Sequence, residues 1–192
     1  MVNAIVLLNI ENAKSRLSPY FGIEDRRNLV LLMLLHVLNV LDEIPVTILP
    51  KSSSCKKSSF DVEGDINIGI LRLKEKIDDD ILVLPCDLPS LKGEDVLKLM
   101  GNYRTLSIAP SQNNGTGALF IPKDLDFIPK FGKDSFNEHK IEAEERGMPL
   151  RVFESDGFRD IDTIEDVRRF IDEGPTNSVK AHIQSLDPKA VF

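Results

Sequence analysis

Cysteine is scarce in this 192-residue chain. Cys55 and Cys86 stand alone, with no Cys-x-x-Cys pair and no histidine at metal-finger spacing, so the sequence offers neither a disulfide framework nor a structural zinc site. Long apolar runs are also missing. The longest, residues 29–35, is far too short to cross a bilayer, and His36 and Asn39 interrupt its continuation. Positive charge is not in excess: 24 Lys and Arg against 31 Asp and Glu leave a net −7, which argues against a general nucleic-acid binder. Three familiar site motifs are absent as well: the Gly-x-x-x-x-Gly-Lys-Ser/Thr phosphate loop, the Gly-x-Gly-x-x-Gly turn after the first strand and the Gly-x-Ser-x-Gly elbow. P-loop and serine-hydrolase chemistry therefore have no support.

What is present is an ordinary globular composition, 42% hydrophobic and 29% charged, with enough length for one domain and its core. Met1-Val2-Asn3 leads straight into a short apolar strand rather than a signal sequence, so a cytoplasmic protein is expected. Strand and helix patterns alternate. Strands are expected at 4–8, 46–49, 81–84, 106–109, 118–121 and 150–153, and helices at 24–41, 66–76, 135–146 and from Thr163 to Ile171, with another after Ser90 running to Met100. An eleven-residue polar connection at 9–19 is long for a simple turn, and a Lys/Ser-rich loop occupies 50–59. These alternations predict an α/β protein, with residues 1–174 as the domain and 175–192 as a tail. In the tail, Val179, His182, Ile183 and Leu186 fall at helical spacing, and the stripe must pack on its own domain or on a second subunit of a homodimer; the pattern fits both.

Chemistry is concentrated at strand ends. Residues 81–91 run a β-branched and leucine-rich strand, of the kind buried on both faces of a parallel sheet, into Asp87 between Pro85 and Pro89. In an open α/β sheet, ligands gather outside the carboxyl ends of the strands, so a carboxylate there faces a cleft. A second acidic cluster, Asp160-Ile161-Asp162-Thr163, occupies a similar strand-to-helix turn. Lys14 and Arg16 follow the first strand, Gly115-Thr116 precedes another, and Gly132 and Ser135 mark a helix start. Together these are parts for handling phosphate: carboxylates hold Mg²⁺, which takes oxygen ligands and bridges phosphates, and cations meet the remaining charge. The histidines, His36, His139 and His182, fall at uncorrelated helical positions and read as packing or surface residues.

In this order, the segments resemble a known family. Leu84-Pro85-Cys86-Asp87-Leu88-Pro89-Ser90-Leu91 is similar to the strand-end motif of the 2-phospho-L-lactate guanylyltransferases, enzymes of coenzyme F420 biosynthesis. Ala13-Lys14-Ser15-Arg16-Leu17-Ser18-Pro19, Asp65-Ile66-Asn67, Gly115-Thr116-Gly117-Ala118-Leu119, residues 131–139 and Asp160-Ile161-Asp162-Thr163 resemble further family segments, spanning about 4–171. The resemblance implies a three-layer α/β/α fold of the GT-A-like nucleotidyltransferase type with a mostly parallel mixed sheet. It also implies joining of GTP to a small phosphorylated acid, with Asp87, Asp160 and Asp162 on Mg²⁺. Lys14 and Arg16 would meet the GTP phosphates, Asn67 and Pro85 would line the nucleotide pocket, and Thr116, Gly132 and Ser135 would receive the acceptor. Asp87, Lys14 and Arg16 form the implied catalytic set. The helix start at Ser135 offers free backbone N–H groups, for which Asp134 could compete as a cap.

Two positions depart from the family pattern. Gly117 replaces an asparagine that could orient substrate, and Asn9-Ile10-Glu11 stands where relatives carry proline and often lysine, so Glu11 would repel a triphosphate if it pointed inward. Other readings are a nucleotidyltransferase with a different base or acceptor, such as phosphoenolpyruvate or a phosphosugar, and a non-catalytic nucleotide-binding relative.

Overall fold

Residues 4–7 and 81–84 carry no polar side chain, so each stretch requires apolar cover on both of its faces. The computed structural model describes residues 1–10, 13–50, 66–102 and 104–186, and provides that cover. In chain order the elements are β1 (Val2–Leu8), α1 (Ile23–Val40), β2 (Val46–Pro50), α2 (Ile66–Lys74), β3 (Asp80–Pro85), α3 (Gly93–Met100), β4 (Leu106–Pro110), β5 (Thr116–Ile121), α4 (Ser135–Glu145), β6 (Leu150–Val152), α5 (Ile164–Glu173) and α6 (Ser178–Ser185). Short 3-10 turns lie at Ser15–Leu17, Gln112–Asn114 and Asp156–Phe158.

The strands form one six-stranded sheet in the order β2-β1-β3-β5-β4-β6. β1 runs parallel to β2 and β3, β4 runs parallel to β6, and β5 is antiparallel to both of its neighbours, β3 and β4. Because successive side chains alternate between faces, the central strands divide their residues between two cores. Ala4, Val6, Leu82 and Leu84 pack beneath α1, α3, α5 and α6, whereas Ile5, Leu7, Ile81 and Val83 pack on the opposite side with residues of α2 and α4. The result is the expected three-layer, mostly parallel α/β/α architecture.

Element bounds moved where local hydrogen bonding decided them. β5 begins at Thr116, earlier than expected, because Thr116 pairs with Pro110 across a register shift after Ala109. α3 begins at Gly93, where the Asp95 carboxylate accepts from the Lys92 backbone N–H at 3.0 Å. Apart from Pro50, which closes β2, the expected 50–59 loop lies outside the described residues, as do Glu11, Cys55 and Asp65. No helix of the described residues is long and apolar enough to cross a membrane.

The tail stripe packs on its own domain. Val179 and Ile183 of α6 are fully buried in the core shared with α1 and α5, and Leu186 packs against it. Asn177 caps α6 by accepting from Lys180 N–H at 3.1 Å, and its amide donates to Pro89 O at 2.8 Å, so the tail is tied to the loop that carries Asp87. Ile183→Ala should lower unfolding free energy by about 2–5 kcal/mol, the usual loss for a buried isoleucine. Gln184→Ala, on the exposed side of the same helix, should stay within about 0.5 kcal/mol. Denaturant titration of both variants checks this, and equal effects would contradict the packing.

Candidate active site

β1, β3 and the segment before α5 deliver their ends to one place. Lys14 lies in the loop after β1 in the left-handed backbone region (φ 48°), unusual for a residue with a Cβ. The loop is held from behind: Ala13 and Leu17 are buried, and Arg26 of α1 donates to Ala13 O at 2.8 Å. This backbone aims the Lys14 side chain inward until only 7% of it is exposed. Its ammonium bonds one oxygen of Asp87 and, at 2.7 Å, Asp162. Burial lowers the lysine pKa, but the two carboxylates outweigh that effect and hold it above its ordinary value, so Lys14 is charged. Arg16 is more exposed, with a guanidinium nitrogen 3.9 Å from Asp162.

Asp87, Asp160 and Asp162 offer carboxylate oxygens that all lie within 4.8 Å of one another. Desolvation, followed by the charges of Asp87 and Asp162, pushes the Asp160 carboxyl up to about 6, with Lys14 opposing in part. The second oxygen of Asp87, Oδ1, is buried with no hydrogen-bond partner. Three carboxylates meet one buried ammonium and, at 3.9 Å, the exposed Arg16 guanidinium, so negative charge is in surplus in the cluster. That surplus, the orphaned oxygen and an all-oxygen donor set fit a hard divalent cation that keeps several of its waters. In such a site Asp87, Asp160 and Asp162 would supply the protein ligands.

The acidic turn is built rigidly. Thr163 caps α5 by accepting from Asp166 N–H, while Asp166 Oδ2 accepts from the N–H groups of Asp162 and Thr163 at 3.1 and 2.8 Å. Gln112 donates to the other Asp166 oxygen at 2.8 Å. Capping thus fixes the direction in which Asp160 and Asp162 face. Beside the cluster is a cleft of about 430 Å³, lined by Leu8, Asn9, Lys14, Arg16, Pro85 and Asp87 among others. A second cavity of about 400 Å³ includes Asp160, Ser90, Lys92 and Gln112 in its lining. Cys86 also lines the cleft, but burial and the neighbouring Asp87 charge push its thiol up to about 12, so it is not a nucleophile near neutral pH.

The other candidate residues separate into two groups. Pro85 lines the cleft, whereas the Asn67 side chain clamps the Phe131 backbone, donating to its carbonyl at 2.9 Å and accepting from its N–H at 2.6 Å. Thr116, Gly132 and Ser135 line neither of the two cavities. Thr116 is bound to His139, and Ser135 is buried at the first turn of α4. Asp134 does not cap that helix; its carboxylate accepts from the Asn137 side chain at 2.9 Å. Gly117 has a packing reason. A Cβ there would sit 2.5 Å from Phe158 O, so the 156–158 turn occupies the space of a side chain. His139 and Asn177 organise the loops yet escaped sequence reasoning, because their partners lie 9 to 88 residues away in the chain.

The mixed α/β/α sheet thus presents carboxylates and a buried lysine at its carboxyl edge. The fold is shared with a nucleotide-diphospho-sugar transferase-type protein of Desulfovibrio desulfuricans G20, at TM-score 0.79 and 13% identity, covering 99% of this chain and 96% of that one. The family model described as "Guanylyl transferase CofC like" matches residues 1–190, and the chain belongs to that family. It is 32% identical to the 2-phospho-L-lactate guanylyltransferase of Methanocaldococcus jannaschii, over 92% of this chain and 85% of that protein. It is also 29% identical to the phosphoenolpyruvate guanylyltransferase of Roseiflexus castenholzii, over 82% and 81% respectively.

The Asp160 environment sets a pH dependence. Its folded pKa, about 6, lies above its ordinary 3.8. The folded state therefore holds the proton more tightly, and metal-free stability contributed by this group falls as pH rises from about 4 through 6. Asp160→Asn should accordingly raise the melting temperature at pH 8 in chelator, by several degrees, with the gain shrinking below pH 6. A destabilised variant at pH 8 would contradict the crowding of charge.

Proposed function

We propose that this chain transfers the guanylyl group of GTP to the phosphate of 2-phospho-L-lactate, releasing pyrophosphate, as a cytoplasmic step of coenzyme F420 biosynthesis. The observation that carries the reading is the cluster of Asp87, Asp160 and Asp162, two of which, Asp87 and Asp162, line a cleft of about 430 Å³, in a chain whose relatives are named for this transfer. A phosphomonoester is largely dianionic near neutral pH, its second pKa being about 6, so its oxygen attacks the α-phosphorus without a protein base. One P–O bond forms to the acceptor as the bond to pyrophosphate breaks.

The protein's part is positioning and charge. Pro85, Asn9 and Leu8 wall the cleft, and Arg16, which also lines it and is largely exposed, is a cation available to the triphosphate. Lys14 holds Asp87 and Asp162 at the reacting end, and Mg²⁺, when bound by the three carboxylates, supplies charge neutralisation of the phosphoryl oxygens. Thr116, Gly132 and Ser135, which line neither cavity, are assigned to the acceptor on the family resemblance. The start of α4, where no side-chain cap forms, offers its N–H groups to an oxyanion. Phosphoenolpyruvate is the second acceptor to test, because a relative is named for it.

Pyrophosphate release with Mg²⁺, GTP and 2-phospho-L-lactate tests the proposal. Asp87→Asn, which leaves Lys14 a polar partner, should lower turnover by on the order of a thousandfold, equivalent to about 4 kcal/mol of barrier, with an unchanged circular dichroism spectrum. Release with ATP or UTP but not GTP would refute the base assignment, and retained activity in Asp87→Asn would refute the metal assignment.

A further inference from the structure

His139 is the most completely buried histidine of the described residues, and both ring nitrogens are engaged. The Lys130 backbone N–H donates to Nε2 at 2.8 Å, and a backbone amide can only donate. Nε2 is therefore unprotonated, and the neutral ring carries its hydrogen on Nδ1, 2.9 Å from Thr116 Oγ1. It follows that Nδ1–H donates to the Thr116 hydroxyl, which leaves the hydroxyl hydrogen free to point elsewhere. Phe131 stands edge-on to the imidazole at 4.9 Å and Phe127 lies tilted at 5.7 Å, so the ring is fixed in place. Burial first, and the Lys130 charge second, lower the His139 pKa to about 4, in agreement with the neutral tautomer.

We propose that His139 is a positioning residue for the acceptor: by donating to Thr116 it makes that hydroxyl a dedicated donor to the acceptor's oxyanion, and by accepting from Lys130 it holds the 130–132 backbone alongside. The inference rests on the acceptor assignment of Thr116 and Gly132 given above. It explains why a histidine with no chemical step is buried here, in contact with a threonine at the carboxyl edge of the sheet. The Asn67 clamp on Phe131 secures the same loop from the other side, so Gly132 follows a residue held at both its N–H and its carbonyl.

The test is a coupling experiment on the full chain, measuring KM for 2-phospho-L-lactate, or for phosphoenolpyruvate if that is the better substrate, beside KM for GTP. Thr116→Val and His139→Gln should each raise acceptor KM about tenfold or more, the scale of a hydrogen bond to a charged group, with GTP KM changed less than about threefold. The double variant should be no worse than Thr116→Val. His139→Asn, which keeps a donor near the Nδ1 position, should recover most of the loss. Multiplying effects in the double variant, or equal damage to GTP KM, would reduce His139 to a structural residue and overturn the proposal. If Thr116→Val leaves acceptor KM unchanged, the acceptor assignment itself fails. If Thr116→Val raises it and His139→Gln does not, only the His139 inference fails. Nitrogen-15 imidazole spectra of the wild-type protein give an answer that needs no variant: the Nδ1–H tautomer is expected, and the Nε2–H tautomer would overturn the inference.

Discussion

A buried ammonium is tolerable only where anions surround it, and that constraint on Lys14 organises the site. Asp87 and Asp162 lie 73 and 148 residues further along the chain, yet both must reach the same point to pair with it. The pairing joins the loop after β1, the end of β3 and the turn before α5. It also leaves one buried Asp87 oxygen without a partner, while burial first, and the Asp87 and Asp162 charges second, raise the Asp160 pKa. The proposed Mg²⁺ answers that imbalance. Lys14 lines the cleft and also gathers two of the carboxylates, while Arg16 lines the same cleft with an exposed guanidinium.

The sheet makes this convergence inexpensive in backbone terms. β1 and β3 are adjacent and parallel, with Leu7 opposite Pro85, so the residues that follow each strand leave from the same edge. The remaining carboxylates are steered by a helix cap rather than by a strand: the Thr163–Asp166 box fixes the start of α5 and accepts the Asp162 amide. Asn177 then binds Pro89 O from the tail, so the segment after Asp87 is braced by the last helix of the domain. Apolar packing beneath α1, α5 and α6 holds these parts at fixed separations. The polar groups above it carry the chemistry.

Much of this was legible in the sequence, for a physical reason. Residues 4–7 and 81–84 announce strands buried on both faces because no polar side chain interrupts them, and Thr163 with Asp166 announces a cap through the distinctive spacing of its two side chains. Asp87 was legible because strand ends are where an α/β sheet exposes side chains to a cleft, and Asp160 and Asp162 were legible as an acidic turn just before a helix start. The tail stripe could be seen but not its partner, since helical spacing gives a face and not what covers it; burial of Val179 and Ile183 decided for the same domain. His139 was invisible as a functional residue, because its contacts with Thr116 and Lys130 depend on how β5, α4 and the intervening loop fold back together. Gly117 was read as a lost amide, but its meaning is the approach of the Phe158 backbone, which no local pattern encodes.

Within a family of guanylyl transferases, the central claim about this chain is that three aspartates gathered by one buried lysine form the metal end of a nucleotide cleft. The most direct measurement is a crystal structure with Mn²⁺ and a non-hydrolysable GTP analogue, using anomalous scattering to locate the metal. The account predicts an anomalous peak at coordinating distance, about 2.1 Å, from Asp87 and at least one of Asp160 and Asp162, with the triphosphate in the cleft lined by Pro85 and Arg16. Nucleotide bound in that cleft with the peak remote from all three carboxylates would contradict it.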